Sequence, residues 1–99
     1  MRRPHKIELW SEAEDDFDNS HTYYAERSEK AADDFYQHVN DCLDRISQDP
    51  LTFPVLHRNI RKCTVPKFPF IIFFKVNEII EVIAIFHTSR NPQTWKERI

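Results

Sequence analysis

Apolar residues change their period halfway along this chain. Lys6-Ile7-Glu8-Leu9-Trp10 alternates and predicts a short opening strand with Ile7 and Leu9 inward. Ala13, Phe17, Ser20 and Tyr24 then fall at spacings of 4, 3 and 4, one face of a helix. Ser11-Glu12-Ala13-Glu14 in front of them has the form of a capping box, with Asp15 and Asp16 in the electropositive first turn. Ser28 offers a second N-cap. Ala32, Phe35, Val39, Leu43 and Ile46 continue at 3, 4, 4 and 3, a longer amphipathic stripe that Asp49-Pro50 stops. Two helices joined this closely must fold back as an αα-hairpin.

Further on, the period is that of strands. Ile60 to Val65 is β-rich and basic, while Phe70 to Val76 and Ile79 to Phe86 are nearly continuous apolar runs of the kind central strands carry. Pro66 and Pro69 bracket one turn, and Asn77-Glu78 breaks the last two strands apart. Two-residue hairpin turns usually rely on glycine, which this chain lacks, so a three-residue loop from Asn77 to Ile79 is expected. That register sets Lys75 opposite Glu81, a favourable cross-strand pair. A polar tail follows from His87, with a short basic turn around Trp95, Lys96 and Arg98. The order β-α-α-β-β-β predicts an α+β fold: an antiparallel sheet with the αα-hairpin packed on one face and a short C-terminal tail or helix. The hairpin should pack through Phe17, Tyr24, Phe35, Val39, Leu43 and Ile46, on either the Phe70/Ile72/Phe74 or the Ile71/Phe73 face.

Length and composition narrow the class. Ninety-nine residues and 12.0 kDa predict a single domain over 1–99, and an apolar content of 40% supports one core without metals or disulfide staples. No apolar stretch reaches the ~18–20 residues of a membrane span, so a soluble, cytoplasmic protein is expected. Cys42 and Cys63 are too few for a disulfide scaffold; Cys42 reads as a packed residue between Val39 and Ile46, Cys63 as a strand residue. The absence of glycine excludes the dinucleotide fingerprint, the P-loop and the nucleophile elbow, and HExxH and paired CxxC are also missing. His5, His21, His38 and His57 are scattered without metal-ligand spacing. No cofactor and no metal are expected. Charge is divided: residues 1–50 hold 6 Lys/Arg against 13 Asp/Glu, a net of −7, and residues 51–99 hold 8 against 3, a net of +5. A surface facing an acidic partner would carry such an asymmetry, as would an exposed helical half rich in Asp and Glu.

Several stretches in one collinear series resemble RelE/ParE-type toxins, the "plasmid stabilization" toxins of bacterial type II toxin–antitoxin modules. In the first half these are the opening strand, Ser11 to Asp16, Tyr23-Tyr24-Ala25-Glu26-Arg27-Ser28 and Asp49-Pro50. In the second they are Ile60-Arg61-Lys62, Phe68-Pro69-Phe70, and Ile83 to Pro92 with Trp95. The resemblance implies an antitoxin partner and one of two activities. RelE-like members cut mRNA on the ribosome with basic sheet and tail residues; ParE-like members poison DNA gyrase by binding it. For a nuclease, Arg61, His87 and Arg90 are the candidates, because His and Arg together could transfer a proton and stabilise a phosphate during 2′-OH attack without metal. Ile71 is apolar where many ribonuclease members carry an arginine, and a tail tyrosine of some relatives is missing. The resemblance therefore favours the ParE-like branch, with an antitoxin-binding domain without toxicity as a further alternative.

One helical hairpin covers one face of a sheet. The other face is expected to expose an apolar patch bordered by Arg61 or Lys62, Lys75, Arg90 and Lys96, leaving the isolated chain prone to self-association. An antitoxin segment, acidic and amphipathic, would cover it, giving a homo- or hetero-oligomer. Arg61, Lys62, Lys75, Arg90, Trp95 and Lys96 are the expected partner-binding residues.

Overall fold

The computed structural model describes residues 4–99. In chain order they form β1 (Ile7–Leu9), α1 (Ser11–Ala25), α2 (Glu29–Gln48), a 3-10 turn (Pro50–Thr52), β2 (Val55–His57), β3 (Ile60–Thr64), β4 (Phe70–Val76), β5 (Ile80–His87) and a C-terminal 3-10 helix (Pro92–Arg98). The five strands make one sheet in the order β1-β5-β4-β3-β2. The expected α+β layering is present. Two details differ from the sequence reading: β2 is an additional short strand, and β1 lies parallel to β5, so the sheet is mixed and antiparallel only from β5 to β2.

Local signals act where expected with one exception. Ser28 is extended and its hydroxyl accepts the Ala31 N–H at 3.2 Å, an N-cap for α2. Ser11 does not cap α1. That helix starts one residue earlier than a capping box requires, from Trp10, whose carbonyl takes the Glu14 N–H at 3.0 Å; the Ser11 hydroxyl donates instead to Glu12. The Trp10 N–H is already committed to Val82 O of β5, at 2.9 Å, so continuation of the strand pairing sets where the helix can begin. Between β4 and β5 the loop is 77–79 and Lys75 faces Glu81, as the missing glycine implied.

The hairpin packs on the Phe70/Ile72/Phe74 face. Ala13, Phe35, Val39, Cys42 and Ile46 meet Cys63, Val65, Phe70, Ile72, Phe74, Ile80, Val82 and Ile85 in one buried cluster. Phe17, Tyr24 and Leu43 pack against its margin and are only partly buried. Both thiols donate to the Thr64 carbonyl within it, Cys42 Sγ at 3.9 Å and Cys63 Sγ at 3.8 Å. Their mutual interaction lowers the Cys42 pKa and raises that of Cys63.

The opposite face is not bare, contrary to the sequence expectation. Ile60, Phe73, Ile83, Ala84 and Phe86 are all buried there, because the 3-10 helix lays Trp95 over them, stacked on Phe73 with ring centroids 5.9 Å apart. A bulge makes this second layer continuous: Phe73 pairs with Ala84 but Phe74 with Val82, so Ile83 is the extra residue and joins Ala84 on the outer face. Thus the unbroken apolar run of β5 serves two cores. No helix is long and apolar enough to cross a membrane among the described residues.

Two turns use positive φ without glycine, at Arg58 (51°) and Lys67 (67°). Arg58 begins the two-residue loop between β2 and β3; Lys67 follows Pro66, the arrangement of a type II turn. Lys67→Gly should leave stability unchanged or raise it by up to about 1 kcal/mol, whereas Lys67→Val should cost more than about 1 kcal/mol, since a branched Cβ clashes at positive φ. Phe35→Ala should cost about 3–5 kcal/mol and the half-buried Leu43→Ala under about 2 kcal/mol. Urea unfolding of the four variants checks these values.

Candidate functional site

Beyond Val82, β1 no longer accompanies β5, and the backbone of β5 needs other partners. Asp16 of α1 and Arg98 of the tail supply them. Asp16 Oδ2 accepts the Ile85 N–H at 3.0 Å, and Arg98 Nη1 donates to Ile83 O at 3.0 Å, the carbonyl of the bulged residue. The two side chains also bind each other in a two-pronged pair, Nη1 to Oδ2 at 2.7 Å and Nη2 to Oδ1 at 3.0 Å. Both are largely withdrawn from solvent, at 14% and 10% side-chain exposure. This clasp holds the tail, and with it Trp95, against the sheet. Arg90 adds a longer contact to Asp16 at 3.7 Å and lies over the Phe86 ring at 3.9 Å.

The tail so held forms one wall of a groove of about 270 Å³ on the outer face, lined by Leu56, Lys62, Ile71, Phe73, Gln93, Trp95 and Lys96. Of the six partner-binding candidates, Lys62, Trp95 and Lys96 come together here. Lys75 is on the same face, paired across the strands with Glu81. Arg61 is on the other face: alternation along β3 turns it toward the hairpin side, where Nη1 donates to Phe53 O at 2.7 Å and Leu51 O at 3.3 Å. It fixes the segment that leads into β2, and its Nε is buried without a hydrogen-bond partner. Arg90 sits at the far edge, beyond the end of β5.

His87 and Arg90 line a second, smaller cleft with Asp16, Asn19, Ser20 and Phe70. It opens into a wider hollow of about 470 Å³ beside Tyr23, Tyr24 and Ser89. Ser89 N–H donates to His87 Nδ1 at 3.0 Å, which leaves Nε2 to carry the proton of the neutral ring. Desolvation, aided by neighbouring Tyr23, holds the Tyr24 phenol above its ordinary pKa. Arg61 does not join this cleft. It pairs through Phe74 with Val82, two strands and five positions from His87, roughly 15–20 Å away. Among the described residues no group of three or more His, Cys, Asp or Glu is arranged to hold a metal ion.

Sequence spacing alone does not single out Asp16 or Arg98 as site residues. Asp16 read as a helix-dipole residue and Arg98 as one charge of a basic turn. The available signal was position: Asp16 lies between Ala13, Phe17 and Ser20 on the inward face of α1, where an acid needs a buried partner.

Residues 7–92 match the family model described as the ParE toxin of the type II toxin–antitoxin system, parDE. A solved chain of the chromosomal ParDE TA system from P. aeruginosa has the same fold, with a TM-score of 0.72 at 20% sequence identity, covering 84% of this chain and 95% of that one. No curated protein matches the sequence.

Removing one member of the clasp leaves the other charge buried and two backbone groups unpaired. Asp16→Ala should therefore cost about 3–5 kcal/mol. Arg98→Ala should be comparably damaging, and the double variant clearly less so than the sum. A double-mutant cycle by chemical denaturation measures that coupling.

Proposed function

The chain belongs to the ParE toxin family of type II toxin–antitoxin systems, and on that premise we propose that it works as one toxin domain that inhibits DNA gyrase by binding it, is neutralised by an antitoxin, and cleaves no RNA itself. The observation that carries this reading is the separation of Arg61 from the cleft that holds His87 and Arg90, which keeps the three groups a metal-free nuclease would need from meeting. Phosphoryl transfer requires a base, an acid and a phosphate clamp within reach of one phosphorus atom. Arg61 is spent on the carbonyls of Leu51 and Phe53, far along the sheet from His87. Arg90 leans on Asp16 and the Phe86 ring. Ile71, on the outer face, offers a packing surface and no charge. What the outer face offers is an aromatic and aliphatic floor with Lys62 and Lys96 at the rim, a surface suited to a polypeptide.

The antitoxin contact is proposed for the same outer face, through Lys62, Trp95 and Lys96, with Lys75 beside them. Arg61 and Arg90 act as positioning residues: Arg61 holds the approach to β2, and Arg90 reinforces the clasp.

Purified toxin should inhibit supercoiling by gyrase in a dose-dependent way, and its induction in bacteria should cause DNA breakage with translation intact. Added antitoxin should reverse the inhibition. Cut mRNA on ribosomes, lost in a folded His87→Ala variant, would replace this reading by the ribonuclease one. A folded chain that binds antitoxin yet impairs neither gyrase nor translation would leave a domain without toxicity.

A further inference from the structure

Two nucleophilic groups take no part in the outer face or in the cleft beside His87. Cys42 of α2 and Cys63 of β3 lie in the core, 1% and 2% exposed, and both are free thiols. Packing brings them to one point, since each Sγ donates to the Thr64 carbonyl, at 3.9 Å from Cys42 and 3.8 Å from Cys63. α2 rests directly on β3, so the two side chains approach across the interface between the hairpin and the sheet. With one oxygen holding both sulfurs, a small side-chain rotation is enough for them to meet.

The two sulfurs are not equivalent. A hydrogen bond from Cys63 holds the Cys42 thiol below its ordinary pKa against the effect of burial, and the Arg45 guanidinium acts in the same sense. That hydrogen bond, together with burial, keeps the Cys63 proton in place. Thiolates rather than thiols attack oxidants, so Cys42 is the nucleophile and Cys63 the thiol that resolves. Metal binding, the other common use of paired thiols, lacks further ligands here: among the described residues no group of three or more His, Cys, Asp or Glu is arranged to hold an ion.

We propose that Cys42 and Cys63 are a modification site, closed by a peroxide into a reversible intramolecular disulfide that ties α2 to β3. The Cys42 thiolate attacks one peroxide oxygen and the O–O bond breaks. A hydroxide leaves, takes up the proton Cys42 gave up, and Cys42 becomes a sulfenic acid. The Cys63 sulfur then attacks that sulfur, and the S–O bond breaks as the hydroxyl departs with the Cys63 proton as water. Two thiols lose two hydrogens, and one peroxide becomes two waters. Burial selects a small oxidant, which enters during local opening of the fold. The closed ring spans 42–63 and takes in the end of α2, the 3-10 turn and β2. Such a ring restricts the unfolded chain and so prolongs the life of the fold. It lies on the hairpin side and leaves Lys62, Trp95 and Lys96 on the outer face as they are.

The test exposes the full chain, reduced and then freed of reductant, to hydrogen peroxide at neutral pH. Its intact mass should fall by two hydrogens without dimer formation. Trypsin should release peptides 31–45 and 63–67 joined, and dithiothreitol should separate them. Cleavage by thermolysin should slow about tenfold or more in the oxidised chain and return to the parent rate on reduction. Cys63→Ala should gain oxygen on peptide 31–45 and no protection, whereas Cys42→Ala should leave Cys63 a thiol over the same exposure. Two free thiols in the treated parent, oxygen gained without a crosslink, or a disulfide formed only between two chains would overturn the proposal. These outcomes are read on the parent chain, so they decide the matter even where a variant fails to fold. Oxidation of Cys63 in Cys42→Ala with Cys42 spared in Cys63→Ala would overturn the order of attack. An oxidised chain cleaved as fast as the reduced one would overturn the effect on the life of the fold.

Discussion

A sheet whose two central strands are apolar on both faces has to be covered twice. β4 and β5 impose that constraint: Ile72, Phe74, Val82 and Ile85 face the helical hairpin, while Phe73, Ile83, Ala84 and Phe86 face the other way. At ~25 cal/mol per Å² of apolar surface, leaving either layer in water would forfeit several kcal/mol. The hairpin is amphipathic and has one stripe to offer. The second cover has to come from elsewhere in a short chain, and it comes from the tail, through Trp95.

A single tryptophan on a seven-residue 3-10 helix needs an anchor, because so short a helix has little stability of its own. Asp16 and Arg98 provide it by making use of a backbone defect. The bulge in β5 and the early end of β1 leave Ile83 O and Ile85 N–H facing no strand, and a carboxylate and a guanidinium take the places a strand would have filled. Buried ion pairs contribute little when their desolvation is set against their attraction. This one also satisfies two backbone groups and ties three elements together: α1, β5 and the tail. The groove beside Trp95 exists because that tie holds, so the candidate binding surface depends on residues that never line it.

The opposite margin of the sheet is arranged differently. At β2 the edge is open, basic and partly apolar, and Arg61 stiffens its approach through two carbonyls rather than pointing at a ligand. The family match and the architecture agree on a toxin, while the positions of Arg61, His87 and Arg90 bear on how such a toxin acts. Three residues that the family resemblance groups as one chemical set fall in two settings, because strand alternation turns Arg61 to the hairpin side while His87 and Arg90 share a cleft at the end of β5.

Much of the fold was legible in the order of residues. The 3.6-residue stripe from Ala32 to Ile46 determined α2 and its buried face, Ser28 its start, and the runs Phe70–Val76 and Ile79–Phe86 the central strands, the second of which forms one residue later, over Ile80–His87. The missing glycine determined the three-residue loop and so the pairing of Lys75 with Glu81. These are local matters, decided by propensity, period and turn geometry within a few residues. Tertiary structure alone decided the parallel seat of β1, the start of α1 at Trp10, the cover over the second face, and the partnership of Asp16 with Arg98 across 82 positions. Each of these depends on which backbone groups and apolar surfaces are left over once the nearer contacts form. A remainder of that kind has no period in the sequence, because it is a property of the packed whole.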